Sequence, residues 1–393
     1  MEKTNQIKIR RVVIKDNTFY GLCLSDLQLN NQNNFANAQP FEFIKSVANE
    51  FKETFNEAGI NFLEPVNINV IEPEQDVIYE IDSVSFFNLD FMQQRIYLNL
   101  PNKIICDFDE GGYDFVHSKL LQDNSIKQLT IVTATQGLAS TNSNIQFVTM
   151  PFFGLMSNCA THKLTPNFPK YPTTPKQTQK ILVPVHKPRP SRLLTLSKLW
   201  QEGMLDNADW SLTIDFENKK IRSDWFHSKN VSEHRHKKSL NQSQLVIDFI
   251  EQHKQQIPKQ LVGVPDEWKW CGAVSPDWIG NYNAYIGIDT YNNLDSRVLK
   301  DVCFYTEKTF KGFLLNAPVY TIANAGFNKL LEHYGFYMPG DYDHLEGEER
   351  IDAVIESIKH TDWDKDKVAN NYKLANNKMF WVELITTTLL EQL

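Results

Sequence analysis

Two hydrophobic periods take turns along the chain, and they predict its elements. Near the N-terminus "IKIRRVVIKD" is β-branched and reads as a strand. Across 41–58, apolar residues at Phe41, Ile44, Ala48, Phe51 and Phe55 form a helical stripe that stops at Gly59. The short apolar runs "INVI", "KIICDF", "LTIVTA" and "IQFVTM" follow, with helical or loop material between them. Further on, "KILVPV" predicts a strand, and 191–201 a helix with Leu193, Leu196 and Trp200 on one face and Gly203 beyond its end. "SQLVIDFIEQHKQQ" predicts a helix, and "NAYIGIDTY" a strand. The stretch "CFYTEKTFKGFLLNAPVYTIANAGFNKLLEHYGF" then reads as helix, strand, glycine turn and helix. A helix over 347–359 buries Ile351, Val354, Ile355 and Ile358, and 364–393 is a long helical candidate. Strand-length runs alternating with helical ones indicate α/β layers around largely parallel sheets.

One stretch, 161–180, breaks the alternation. It holds four prolines and no period, so it reads as a linker between domains. The expected organisation is an N-terminal α/β domain over 1–160, the linker, a second α/β domain over 181–360, and a closing helical segment over 361–393. A length of 393 residues suits two domains. Composition changes this picture little. Five scattered cysteines suit free thiols in a reducing cytosol better than a disulfide framework. A net charge of −8 argues against a dedicated nucleic-acid binder. No apolar run approaches eighteen residues, and "MEKTNQIKIRRVVIKD" lacks the apolar core of a signal peptide, so a cytoplasmic protein is expected.

Candidate chemistry gathers in the second half. Thr306 is placed to cap a helix starting near Glu307. A helix N-terminus offers backbone N–H groups and a positive dipole end, which suit phosphate. Lys308 adds a mobile charge, Glu307 an acceptor pair suited to ribose hydroxyls, and Tyr305 a ring that could stack on a base. The same letters also fit ordinary capping with a solvated lysine. In "VHKPRPSR", Pro188 and Pro190 hold the chain extended while Arg189 and Arg192 flank a turn into a helix. Arginine's planar fork matches phosphate, and a clamp on a leaving diphosphate would stabilise its charge. A solvated basic turn is the alternative.

"YIGIDTYNN…FYTEKTFKGFLLNAPVYTIANAGFNKLLEHYGF" resembles the donor-site region of fucosyltransferase-like glycosyltransferases. Those carry a strand of the type F-Y-L-a-f-E-N, then Y-v-T-E-K, a helix, a short apolar strand and a glycine. The stretch is also similar to glycosyltransferase-like proteins of phages and large viruses, with T-E-K-T-F/W-K-P and a later G-F. "HKPRPSRLLTLSKLWQEGMLDNADWSL" looks like that group's arginine-bearing strand-to-helix turn, followed by L-x-x-x-G-L-L-D and a serine strand. The resemblance covers about 181–360. It implies a GT-B architecture: two Rossmann-like domains facing across a cleft, the nucleotide-sugar held by the second, and a C-terminal helix crossing back to the first. By position, Tyr305 packs on the nucleotide, Glu307 binds ribose and Lys308 binds phosphate, with Arg189, Arg192, Tyr285, Asp289 and Thr306 on the donor side. Asp289-Thr290 stands where the fucosyltransferase pattern has Glu-Asn, which bears on the donor sugar. Gly312 replaces the proline of the viral pattern.

An inverting transferase needs a general base for the acceptor hydroxyl. In "IICDFDEGGYDF" a strand ends in carboxylates, and Glu110, then Asp109, are the candidates. An acidic Gly-rich turn is common without such a role. Asp107-Phe108-Asp109 also fits the D-x-D of metal-dependent GT-A enzymes, in the half away from the expected donor site. In "WFHSKNVSEHRHKK", His234 and His236 share a strand face near His227, but no zinc spacing accompanies them, so a basic surface loop is expected. The expected activity is hexosyl or pentosyl transfer from a UDP- or GDP-sugar to an acceptor hydroxyl, with inversion, without catalytic metal or other cofactor. The acceptor would be a glycan or small molecule, or a hydroxylated base if this is a phage DNA-modifying enzyme in a host cytoplasm. A non-catalytic nucleotide-sequestering protein is the other alternative.

Overall fold

The computed structural model describes residues 7–14, 23–24, 55, 58–108, 119–165, 167–171, 180–185, 188–214, 243–257, 259, 261, 274–289, 294, 302–360 and 362–392. The chain forms two compact units, Met1–Lys163 with Lys378–Leu393, and Leu164–Asn377. Both are α/β, one around a six-stranded parallel sheet and the other around a four-stranded one. None of the described helices is long and apolar enough to cross a membrane.

In the first unit the strands are β1 (Ile7–Val13), β2 (Ile60–Asn67), β3 (Val77–Asp82), β4 (Asn102–Asp107), β5 (Leu129–Thr133) and β6 (Ile145–Thr149), in the order β2-β1-β3-β4-β5-β6. Neighbours all pair in parallel. Helices α1 (Ser83–Asn88), α2 (Phe91–Leu98) and α3 (Phe152–Leu164) belong here, with the C-terminal helix Lys378–Gln392. Asp82 caps α1 through Ser85 N at 2.7 Å, and Asp90 closes a capping box on α2 with Gln93. Tyr79, Ile81, Phe86, Tyr97, Ile105 and Ile131 form part of one buried cluster. Trp381 of the C-terminal helix lies so close over Gly154 that a Cβ there would sit 2.3 Å from the indole.

Two strands escaped the sequence pattern for identifiable reasons. β2 carries Glu64 and Pro65, which break an apolar run. As an edge strand it tolerates both, and the register with β1 slips there, Arg10 facing Leu63 but Val12 facing Val66. "INVI", expected as a strand, is instead a short 3₁₀ turn after β2, because Asn67 turns the chain by accepting from Asn69 N at 2.9 Å. β3 hides behind Glu80 and Asp82, both fully buried. The helix expected over 41–58 lies almost wholly outside the described residues.

The second unit has β7 (Ile181–Pro184), β8 (Ala208–Ser211), β9 (Ala284–Ile288) and β10 (Val319–Ile322), in the order β10-β9-β7-β8, again all parallel. Its helices are α4 (Pro190–Gln201), α5 (Ser243–His253), α6 (Glu307–Phe313), α7 (Phe327–His333), α8 (Gly347–His360) and α9 (Lys365–Asn376). Leu193, Leu196, Trp210, Phe249, Ile286, Ile351 and Val354 meet in its core, so the faces expected for α4 and α8 do point inward.

Within the expected linker 161–180, several of the described residues make defined contacts. Helix α3 runs through Leu164. Beyond it Phe168 stacks on Tyr372 with centroids 6.2 Å apart, and the Pro169 carbonyl accepts from the Tyr372 hydroxyl and from Asn376 Nδ2. Those bonds tie residues 168–169 to α9. The single helix expected over 364–393 is two, because Asn377 is extended and caps α9 through its N–H to the Leu374 carbonyl. The first of the two belongs with the second unit, the other with the first.

Candidate functional site

In both sheets the strand order reverses once. The second strand lies to one side of the first, and the third and fourth lie to the other. The carboxyl ends of the two strands flanking such a reversal diverge into loops on opposite faces, leaving a crevice where parallel sheets bind ligands. In the second unit those strands are β7 and β9. Arg189 comes five residues after the end of β7, and Asp289 follows β9 directly.

Around Asp289 the structure builds a tight cluster. Asp289 is fully buried, and its two carboxylate oxygens accept from Thr306 Oγ1 and Thr309 Oγ1, each at 2.6 Å. That length is typical of a hydroxyl bonded to an ionised carboxylate. Burial pushes the Asp289 carboxyl up to about 6, against the pull of the two threonines and of the Lys308 charge. Thr306 caps α6, accepting from Lys308 N at 3.3 Å. From below, the Tyr285 hydroxyl donates to the Lys308 carbonyl. Four side chains (Asp289, Thr306, Thr309 and Tyr285) and the Lys308 carbonyl thus fix the first turn of α6 to β9.

Glu307 and Lys308 project from that turn, each about one-quarter exposed and paired to the other at 3.0 Å. Burial works to raise the Glu307 carboxyl, but the ammonium groups of Lys308 and Lys311 outweigh it and hold it below the ordinary range. The pair therefore presents both signs of charge at the surface, an acceptor beside a cation.

The donor-side residues expected from sequence separate by burial. Asp289, Thr306, Glu307, Lys308 and Tyr285 are brought together, as just described. Tyr285 is 1% exposed, which makes it a support for α6 and not a ligand contact. Tyr305 is also buried completely, its ring packed among Phe310, Phe327 and Tyr334 at centroid distances of 6.4, 5.4 and 5.9 Å. No face of it is open to a base, which corrects the stacking expectation. Arg192 is 4% exposed inside α4, whereas Arg189 is half-buried at that helix's N-cap. Helix α4 begins with Pro190 and has no side-chain cap. Asp109, Glu110, Thr290, His227, His234 and His236 lie outside the described residues. Asp107, fully buried, accepts from Ser83 Oγ at 2.9 Å.

Three residues take parts that the sequence reading did not assign to them. Thr309 completes the Asp289 clamp; its spacing of three from Thr306 was the available signal, since i and i+3 share a helix face. Gly312 fits because α6 crosses β9 closely: a Cβ there would lie 2.5 Å from Tyr285 Cδ1 and 2.7 Å from Val319 Cγ2. Arg350 of α8 is 0% exposed and spends its guanidinium at the end of β10. It donates to the Thr321 carbonyl at 2.9 Å, to the carbonyls of Asn324, Asp343 and Leu345, and to Thr321 Oγ1, Asn328 Oδ1 and Asp343 Oδ1. Asp343 in turn accepts from Asn328 N and Lys329 N at 2.8 and 3.1 Å, capping α7. No sequence motif announces an arginine pairing seven residues back.

No protein-family model matches the chain, and no curated protein matches it. Among solved structures it is similar to a glycosyltransferase from Rickettsia africae, with 11% identity over 99% of this chain and all of that one, at a TM-score of 0.35. It is also similar to a UDP-forming α,α-trehalose-phosphate synthase from Burkholderia xenovorans, with 8% identity over 82% of this chain and 69% of that one, at a TM-score of 0.31. Similarity of that size carries no weight of its own beside the residues of this chain.

Proposed function

We propose that this protein is a glycosyltransferase whose second unit holds a nucleotide-sugar at the carboxyl edge of its sheet, where β7 and β9 part. The observation that carries the reading is the Asp289 clamp. It fixes Thr306-Glu307-Lys308, the triplet that resembles the fucosyltransferase-like donor motif, at a strand end where parallel sheets bind ligands. Glu307 accepts from the ribose hydroxyls, and Lys308 leaves its partner to meet the diphosphate. Arg189, at the N-cap of α4, adds a second cation. Burial at Tyr305 and Tyr285 leaves recognition of the base to other residues.

In the transfer step the acceptor oxygen attacks the anomeric carbon as the bond from that carbon to the diphosphate oxygen breaks. The nucleoside diphosphate leaves with the electron pair, steadied by the cations, and the acceptor proton passes to a carboxylate, for which Glu110 and Asp109 are the candidates. A single displacement of this kind inverts the anomeric centre, and the side-chain cations take the place of a catalytic metal.

A thermal-shift panel of UDP-, GDP-, CMP- and dTDP-sugars tests the donor site. A donor at a hundred times its dissociation constant adds about 2.7 kcal/mol of stability. Lys308→Ala and Glu307→Ala should each reduce the shift given by the best donor. An undiminished shift in both removes the assignment. Slow release of free sugar from that donor by the wild-type chain separates an enzyme from a sequestering protein, which would release none.

A further inference from the structure

The first unit carries a second polar cluster at its own strand-order reversal, and the proposed sugar transfer does not use it. Cys23, Glu80 and Cys106 are all buried to within 1% and come from three places in the chain: the segment after β1, the strand β3 and the strand β4. One potential ligand atom from each lies within 4.8 Å of the others. Cys106 Sγ is 3.7 Å from Glu80 Oε2, and that oxygen also accepts from Leu24 N at 3.0 Å. The register puts these groups on one face of the sheet: Arg11 pairs with Glu80, and Asp82 with Cys106.

We propose that Cys23, Glu80 and Cys106 form a binding site for a thiophilic divalent cation of the Zn²⁺ type. The separations suit it. With metal–sulfur and metal–oxygen bonds of about 2.3 and 2.0 Å, a tetrahedral site holds sulfur and oxygen about 3.5 Å apart, close to the 3.7 Å between Cys106 Sγ and Glu80 Oε2. Two thiolates and a carboxylate are a donor set that selects zinc over magnesium or calcium. One water would fill the fourth position. Arg11 lies against the same face, in an ion pair with Asp82 at 3.3 Å, and balances part of the excess negative charge of the ligands. Because Cys23 follows β1 whereas the other two ligands sit in neighbouring strands, the cation would fasten the chain after β1 onto β3 and β4. Its role is therefore to stabilise the first unit.

The test uses the full chain, stripped with a chelator under reductant and then dialysed against Zn²⁺ or Co²⁺. The expected result is one tightly held cation per chain, with a thiolate-to-cobalt charge-transfer band in the Co²⁺ form. Cys23→Ser and Cys106→Ser should each abolish the band, whereas Cys303→Ser, in the second unit, should leave it intact. Should either serine variant fail to fold, the X-ray absorption spectrum of the Zn²⁺-loaded wild type decides: two sulfur neighbours support the site, and oxygen or nitrogen neighbours alone refute it. No retained cation in the reduced wild type overturns the proposal, as does a band unchanged in both serine variants. Ready Cys23–Cys106 disulfide formation without cation uptake by the reduced chain also overturns it, and would assign the pair to redox chemistry instead. Because the readout is metal content in the first unit, its failure leaves the donor site in the second untouched.

Discussion

Asp289→Asn isolates what it costs to keep a carboxylate under α6. The wild-type carboxyl titrates near 6 in the folded chain, against 3.8 as its ordinary value. A folded pKa above the unfolded one means that the folded state holds the proton more tightly. The contribution of Asp289 to stability is therefore fully present below about pH 4 and is lost as the pH rises towards 6. A difference of about two units is worth about 3 kcal/mol. Asparagine keeps the shape, accepts from one threonine and donates to the other, whose hydroxyl can rotate to accept, so the clamp survives without its charge. The stability of the variant minus that of wild type should therefore climb by about 2 kcal/mol between pH 4 and pH 7, the rest of the difference falling below pH 4. Urea unfolding of both proteins at half-unit intervals measures it, provided the transition followed is the one reported by hydrogen exchange of α6 amides. Parallel pH profiles would show that Asp289 is no more perturbed than a surface carboxylate, and the account of the clamp would fail.

Two further outcomes test the packing that positions the site. Gly312→Ala should destabilise the second unit by about 1–3 kcal/mol, read from the urea midpoint, because the added methyl would sit 2.5 Å from the Tyr285 ring. Proline, which stands there in the viral pattern, should be tolerated no better. Arg350→Met should cost about 3–5 kcal/mol, since it removes the buried guanidinium from half-buried Asp343 and leaves the carbonyls at the end of β10 without that donor. Lys359→Ala, which breaks half-exposed pairs to Glu202 and Glu356, should cost no more than about 1 kcal/mol. Equal losses in the two variants would contradict the burial argument.

Much of the layered architecture was legible in the chain because strands such as "KIICD", "LTIVT" and "AYIGI" are buried on both faces and read as continuous apolar runs. Helices α4 and α8 were legible because each buries one stripe, and the start of α6 because Thr306 is a side chain suited to capping. The same local rules missed β2 and β3, where an edge position or a buried ion pair makes charge acceptable inside a strand. They also assigned Tyr305 to a ligand, because an aromatic beside Thr-Glu-Lys has the same letters whether its ring faces solvent or Phe327.

What the sequence by itself determined is the set of short-range preferences: strand or helix, cap, turn, and the charged triplet at the head of α6. Tertiary structure alone decided which polar groups share an interior. Asp289 meets Thr306 and Thr309 across 17 and 20 residues, Arg350 reaches back to Thr321 across 29, and Cys106 approaches Glu80 across 26. The physical reason is that a buried charge is tolerated only where partners converge on it. Convergence is set by the order and register of parallel strands, which no window of neighbouring residues contains.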